Sequence, residues 1–152
     1  MKFTTKVEYG LVCLIYMARH GERRLSIHDI VEKERFSQVY TQKILQRLRL
    51  ANIVVAHHGK QGGYALAAHP SKITMKAIIE ALDGRTFDIY CQPRLREQIV
   101  CTHFSMCGVR PVWAKTKQLL DDFFDSITLE MMARDEREVF QMTRGSKNHE
   151  RS

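Results

Sequence analysis

The chain has 152 residues with 24 Lys and Arg against 17 Asp and Glu, a net charge of +7, and this length suits one compact domain or a small domain with an extension. Its 44% hydrophobic and 27% charged content is ordinary for a soluble globular protein and speaks against a disordered or fibrous chain. The longest apolar run, Gly10 to Ala18, is cut off by Arg19, far short of the ~20 residues of a bilayer span, and residues 1–6 lack a secretory apolar stretch, so a cytoplasmic protein with no membrane association is expected.

The charge is unevenly placed. Residues 1–85 hold 14 Lys and Arg against 7 Asp and Glu, whereas residues 86–152 hold 10 of each. All the net positive charge therefore lies in the first half. A basic half beside a neutral one suits a polyanion, because each phosphate contact releases condensed counterions.

The first element is a helix from Thr5 to Arg19, with Val7, Leu11, Leu14, Ile15 and Ala18 at helical spacing. Thr5 and Glu8 have the spacing of a capping box at its start. A polar turn, Gly21-Glu22-Arg23-Arg24, leads to a short helix over Ser26 to Lys33, with Ser26 as N-cap and Asp29 three residues on. Ser37 caps a third helix to about Ala51, whose Tyr40, Ile44, Leu48 and Ala51 form an apolar stripe. Ile53 to Ala56 and Tyr64 to Ala67, joined through Gly59-Lys60-Gln61-Gly62-Gly63, read as a β-hairpin with a flexible basic tip.

Thr74 opens a further helix ending near Gly84, with Ile73 and Ile78 placed as a hydrophobic staple. Residues 85–110 have no clean periodicity. Pro111, tolerated in a first helical turn, opens a long helix carrying Trp113, Thr116, Leu119, Leu120, Phe123, Phe124 and Ile127. That apolar face is wider than a lone surface helix needs, so it is assigned to a dimer interface as well as a core. A purely intrachain helix is the competing reading. Residues 143–152 read as a polar, disordered tail.

Two short helices, a turn and a basic-tipped hairpin make a winged helix-turn-helix. The fold class is thus mainly α with a small β-hairpin wing, followed by a long C-terminal dimerisation helix. The expected divisions are a DNA-binding domain over 1–84, a cysteine-containing sensor loop over 85–110, a dimerisation helix region over 111–142 and the tail. In such folds the recognition helix enters the major groove with its N-terminal residues nearest the bases. These are Ser37, Gln38, Val39, Tyr40, Thr41, Gln42 and Lys43. Glutamine can bond adenine in a bidentate way, and lysine can reach guanine or a phosphate. Tyr40 also lies on the apolar stripe and can equally be core. From the wing come His57, His58, Lys60 and Gln61, with Gly62 and Gly63 allowing close approach to a sugar-phosphate chain. A winged helix that binds only protein is the alternative, and the charge balance argues against it.

Particular residues carry a family resemblance. Thr4-Thr5-Lys6, Tyr9-Gly10-Leu11, Leu14 and Met17-Ala18 resemble the first helix of the IscR/NsrR-type (Rrf-two) transcription regulators. Ser37-x-x-Tyr40, Leu45, Arg47-Leu48-Arg49 and Gly62-Gly63-Tyr64-x-Leu66 resemble that family's recognition helix and wing, and Ile127-Thr128-Leu129 the end of its dimerisation helix. The match covers roughly residues 1–135 and is specific when its parts are taken together. The resemblance implies a homodimeric regulator of a palindromic double-stranded operator, whose members often, but not always, hold an iron–sulfur cluster.

Four cysteines are present, and Cys13, within Leu11-Val12-Cys13-Leu14-Ile15, reads as a small buried hydrophobe. The other three, Cys91, Cys101 and Cys107, form C-x9-C-x5-C. Clustered cysteines in a reducing compartment are more often metal-binding or redox-active than a disulfide framework. By resemblance, the three are cluster ligands. The second gap matches the family's, while the first is longer than is typical and leaves the cluster type, 2Fe-2S or 4Fe-4S, open.

Clusters usually take four ligands in all, and three cysteines leave one position open. The IscR type places a histidine three residues after the last cysteine; here that position is Arg110, which cannot ligate. Some NsrR-type proteins reach an acidic residue across from the first helix of the other subunit, and the corresponding residue here is Glu8. A role in the helix cap competes for Glu8. Cys13, His103 and a non-protein ligand are further candidates. A cluster held by both halves would set the spacing of the two recognition helices, and the NsrR-like Glu8-Tyr9-Gly10-Leu11 points to nitric oxide as the signal ahead of redox or iron status. A cluster-free regulator using a thiol switch between two cysteines, or a structural zinc, is the alternative. The seven histidines form no recognisable catalytic spacing, so no enzymatic activity is expected.

Overall fold

The computed structural model describes residues 4–60, 62–86 and 106–145. Helices α1 (Thr5–Arg19), α2 (Ile27–Glu34) and α3 (Gln38–Leu50) come first, then strands β1 (Val54–His57) and β2 (Gly63–Leu66). A 3-10 turn at Pro70–Lys72 leads to α4 (Met75–Asp83). Beyond residue 105 lie α5 (Val109–Ser126), α6 (Leu129–Met132) and α7 (Glu136–Gly145).

One core serves the first half. Val7, Cys13, Leu14 and Met17 of α1 pack with Ile44, Leu45 and Leu48 of α3 and with Ile78, Ile79 and Leu82 of α4. Gly10 lies at the α1–α4 crossing, where an added Cβ would collide with the Leu82 side chain. Ser26 and Asp29 form a reciprocal capping box on α2, as their spacing predicts. Thr74 caps α4 by accepting from the Ala77 N–H at 3.2 Å, and Ile73 and Ile78 are both buried.

The wing is an antiparallel pair in which Val54 faces Leu66 and His57 faces Gly63. Leu25 pairs with Tyr64 through two backbone hydrogen bonds of 2.9 and 2.8 Å, fastening the hairpin to the segment between α1 and α2. Arg35, in a left-handed conformation (φ 55°), makes the tight corner from α2 into α3.

Several expectations are corrected. The N-cap of α1 is Thr4, not Thr5, and no side chain caps that end; the Thr4 hydroxyl instead donates to Asp83. The buried stripe of α3 is Thr41, Ile44, Leu45 and Leu48. Tyr40 is only half-buried and Ala51 is exposed, because α3 turns its Leu45 side toward the helices packed around it. The long helix begins at Val109 rather than Pro111, and residues 109–145 make three helices. Thr143 to Gly145 belong to α7 and not to a disordered tail, since Val139 and Met142 are half-buried and the Thr143 hydroxyl bonds the Val139 carbonyl at 3.0 Å. Residues 146–152 lie outside the described residues.

Candidate nucleic-acid interface and cysteine segment

On α3 the helical period divides a reading face from a packing face. Gln38, Val39, Gln42 and Lys43 are exposed, as is Ser37 just before them. Val39 is 63% exposed, a large apolar side chain held in solvent where a thymine methyl can be met. Thr41 is a correction: it is fully buried at 0%, and its hydroxyl donates to the Ser37 carbonyl at 3.0 Å, so it holds the helix start and reaches no base. Tyr40 packs edge-on against Tyr9, centroids 5.2 Å apart, and Tyr9 stacks on Phe36, which holds the half-buried Tyr40 ring against the edge of the core.

On the wing, His58 and Lys60 are exposed and His57 is half-buried; Gln61 lies outside the described residues. Gly62 and Gly63 have reasons internal to the fold. A Cβ on Gly62 would meet the His57 carbonyl oxygen at 2.6 Å, and one on Gly63 (φ 151°) would meet the Leu25 carbonyl oxygen at 2.8 Å. The glycines thus close the turn and admit the Leu25 strand. The sequence reading missed Gln46 and Arg49, which line a cleft with Gln42, Ala56, His58 and Tyr64; their i, i+4, i+7 spacing with Gln42 is the signal that could have found them.

Of the cysteine segment, Cys91, Cys101 and His103 lie outside the described residues. Cys107 is a half-buried free thiol, directly before Gly108, the N-cap of α5. Glu8 is exposed on the first turn of α1, and its carboxylate has no hydrogen-bond or ion-pair partner among the described residues. The cap that competed for Glu8 is therefore absent. Cys13 is corrected as a ligand candidate: it is 0% exposed, and burial, helped by the Glu34 carboxylate, pushes its thiol up to about 12, so it stays a packed thiol. Iron–sulfur clusters are held by cysteine sulfur, which the free Cys107 can supply, and the exposed Glu8 carboxylate is an uncommitted oxygen donor. Among the described residues no three such side chains come together.

Two carboxylates bracket the start of this segment. Asp83, at the end of α4, accepts from Thr4 and pairs with Lys6 Nζ at 2.9 Å. Burial alone would raise its carboxyl, but the bonds from Lys6 and Thr4 outweigh that and hold it below the usual range. Asp121 on α5 accepts from the buried Thr86 hydroxyl and from Lys117 Nζ at 2.6 Å. Here too burial raises and the Lys117 and Thr86 bonds lower, with a net depression. The segment thus leaves from a point tied to both α1 and α5.

The outer face of α5 carries exposed apolar side chains, Leu119 (57%) and Phe123 (42%) with Val109 and Val112. Among the described residues no helix is long and apolar enough to cross a membrane.

Comparison with known proteins agrees with this architecture. Residues 3–135 match the family described as Rrf2: Iron-dependent Transcriptional regulator. The chain is 30% identical to the HTH-type transcriptional regulator CymR of Bacillus subtilis over 138 residues, covering 88% of this chain and 90% of that one. It superimposes on the solved structure of CymR (YrzC), the global cysteine regulator of B. subtilis, with a TM-score of 0.72 at 28% identity, over 88% of this chain and 96% of that one. It also matches T. potens IscR, with a TM-score of 0.64 at 27% identity, over 99% and 94%. The fold is that of these winged-helix regulators, and the relatives are regulators of transcription rather than enzymes. The chain belongs to the Rrf2 family of DNA-binding transcriptional regulators.

Proposed function

We propose that this regulator acts as a homodimeric repressor of a palindromic operator and that Cys91, Cys101 and Cys107, with Glu8 of the partner chain, hold an iron–sulfur cluster. The operator-reading side chains are Gln38, Val39, Gln42 and Lys43 in the major groove, with Ser37, His57, His58, Lys60 and Gln61 on the backbone. Family membership and the exposed first two turns of α3 support the reading surface. The apolar face of α5 supports the dimer, since a patch of this kind marks an interface.

The observation that carries the cluster is the uncommitted Glu8 carboxylate on the DNA-binding half, combined with three cysteines between that half and α5. The family's description as iron-dependent supports it. When bound, the cluster supplies a link sensitive to nitric oxide, oxygen and iron supply. This chain's own part is to carry Glu8 on α1 and Cys107 beside α5, so that ligation fixes the two recognition helices at a spacing matching half-sites about one helical turn apart. Loss of the link shifts operator affinity by a coupling energy of about 1–3 kcal/mol.

The test is operator binding by anaerobic protein before and after nitric oxide treatment, in wild type and Glu8→Gln. The reading predicts a response in wild type that is absent in the variant. An identical response in both would remove Glu8 from the mechanism. A second reading, a cluster-free thiol switch in the cytoplasm, is supported by Cys107 being free and partly accessible, and predicts a response to peroxide in iron-free protein.

A further inference from the structure

We propose that the cleft between α3 and the wing seats one backbone phosphate of the operator, with Arg49 as its cation and Gln46 and His58 as hydrogen-bond donors. The proposal rests on the DNA-binding reading and adds a site to it, beyond the base-reading turns toward the C-terminal end of α3. Gln42, Gln46 and Arg49 form one face of the helix, and His58 closes the far side from the end of β1. Ala56 and Tyr64, which face each other across the hairpin, complete the lining. Among the described residues no carboxylate lines this cleft.

The two arginines of α3 have different fates. Arg47 Nη1 donates to the Leu82 carbonyl at 2.9 Å, where its charge suits the C-terminal end of α4. Arg49, two residues on, lines the cleft with no partner among the described residues. A guanidinium is suited to phosphate because its planar fork donates two parallel hydrogen bonds.

The walls are held at fixed separation. Only residues 51–53 join α3 to β1, with Asn52 in a left-handed conformation (φ 56°), and Ile53 N–H bonds the Leu48 carbonyl at 2.9 Å. The Leu25–Tyr64 pairing pins the other strand. When a recognition helix lies in the major groove with the wing alongside, the sugar-phosphate strand bordering the groove must pass between them. The cleft is where its phosphates are presented.

The experiment is operator binding across a salt series for wild type, Arg49→Gln, His58→Gln and, as a fold control, Arg47→Gln, each with its thermal melt. Arg49→Gln should weaken binding about tenfold or more, equally across operator variants, and reduce the slope of log K against log salt by about one. His58→Gln should weaken binding less than Arg49→Gln, and likewise equally across operator variants.

An unchanged slope in Arg49→Gln, or a loss confined to one base pair, would overturn the seat while leaving DNA binding intact. Wild type that binds no DNA would sink the underlying reading. A final arm titrates inorganic phosphate into the free protein. Arg49-dependent binding at submillimolar phosphate would make the cleft a small-anion site and overturn the operator assignment.

Discussion

The hydroxyl of Thr4 donates to both carboxylate oxygens of Asp83, at 2.8 and 2.7 Å, tying the entrance of α1 to the exit of α4. Thr4, one residue before the Thr5 read as the cap, is thus a clasp between two helices, and Lys6 closes it with an ion pair. Asp83→Asn should destabilise the fold by about 1–2 kcal/mol, toward the low end because the pair is partly solvated. Urea or thermal unfolding reads this, and an unchanged midpoint would show the clasp to be energetically idle.

Stability should also fall in acid. Asp83 and Asp121 both titrate below the usual carboxylate range when folded. A carboxyl whose folded value is depressed contributes fully above the unfolded value near 4 and loses that contribution as pH falls through the folded value. The midpoint of thermal unfolding should therefore drop below about pH 4, less steeply in an Asp83→Asn, Asp121→Asn double variant. Parallel curves for the two proteins would contradict this.

Gly10 marks the closest approach of α1 and α4. Gly10→Ala gains up to about 1 kcal/mol in helix propensity, but its methyl collides with Leu82, which is fully buried and held by its neighbours. Overpacking of this kind costs about 1–3 kcal/mol, so Gly10→Ala should destabilise the wild type and cost less in a Leu82→Ala background. The four melting curves of that double-mutant cycle decide it.

The α5 face gives a direct test of assembly. Leu119→Glu with Phe123→Glu places two charges on surface that is already solvent-exposed within one chain, so each chain should keep its helical circular dichroism. Sedimentation should show the dimer replaced by monomer, and operator affinity should fall by at least tenfold because two half-sites are no longer bound together. A variant that remains dimeric would place the interface elsewhere.

Much of the architecture was legible because its signals are local. Ser26 with Asp29, Thr74 with Ala77, and the glycines of the hairpin announce themselves within a few residues. The errors came from tertiary packing. Nothing near Thr41 tells that α3 would turn it inward, and nothing near Thr4 tells that its hydroxyl would find Asp83 across 79 positions. Arg47 and Arg49 look alike in sequence, and only the position of the Leu82 carbonyl separates them. Residues 136–145 were read as the end of one helix and a loose tail because Asp135 and Glu136 hide a new helix start that rests on an Asp135 side-chain bond to the Glu138 N–H, 3.0 Å. The cysteine spacing was plain, but Glu8 became a candidate ligand only through the family resemblance.

The most direct test of the central claim is iron and acid-labile sulfide per chain in anaerobically prepared protein, with Cys107→Ser and Glu8→Gln measured alongside. Near-equal iron and sulfide in wild type, lost in Cys107→Ser and more easily lost in Glu8→Gln, is the result predicted. Neither element in wild type, even after reconstitution with iron and sulfide, would contradict the cluster and leave the thiol switch as the sensor.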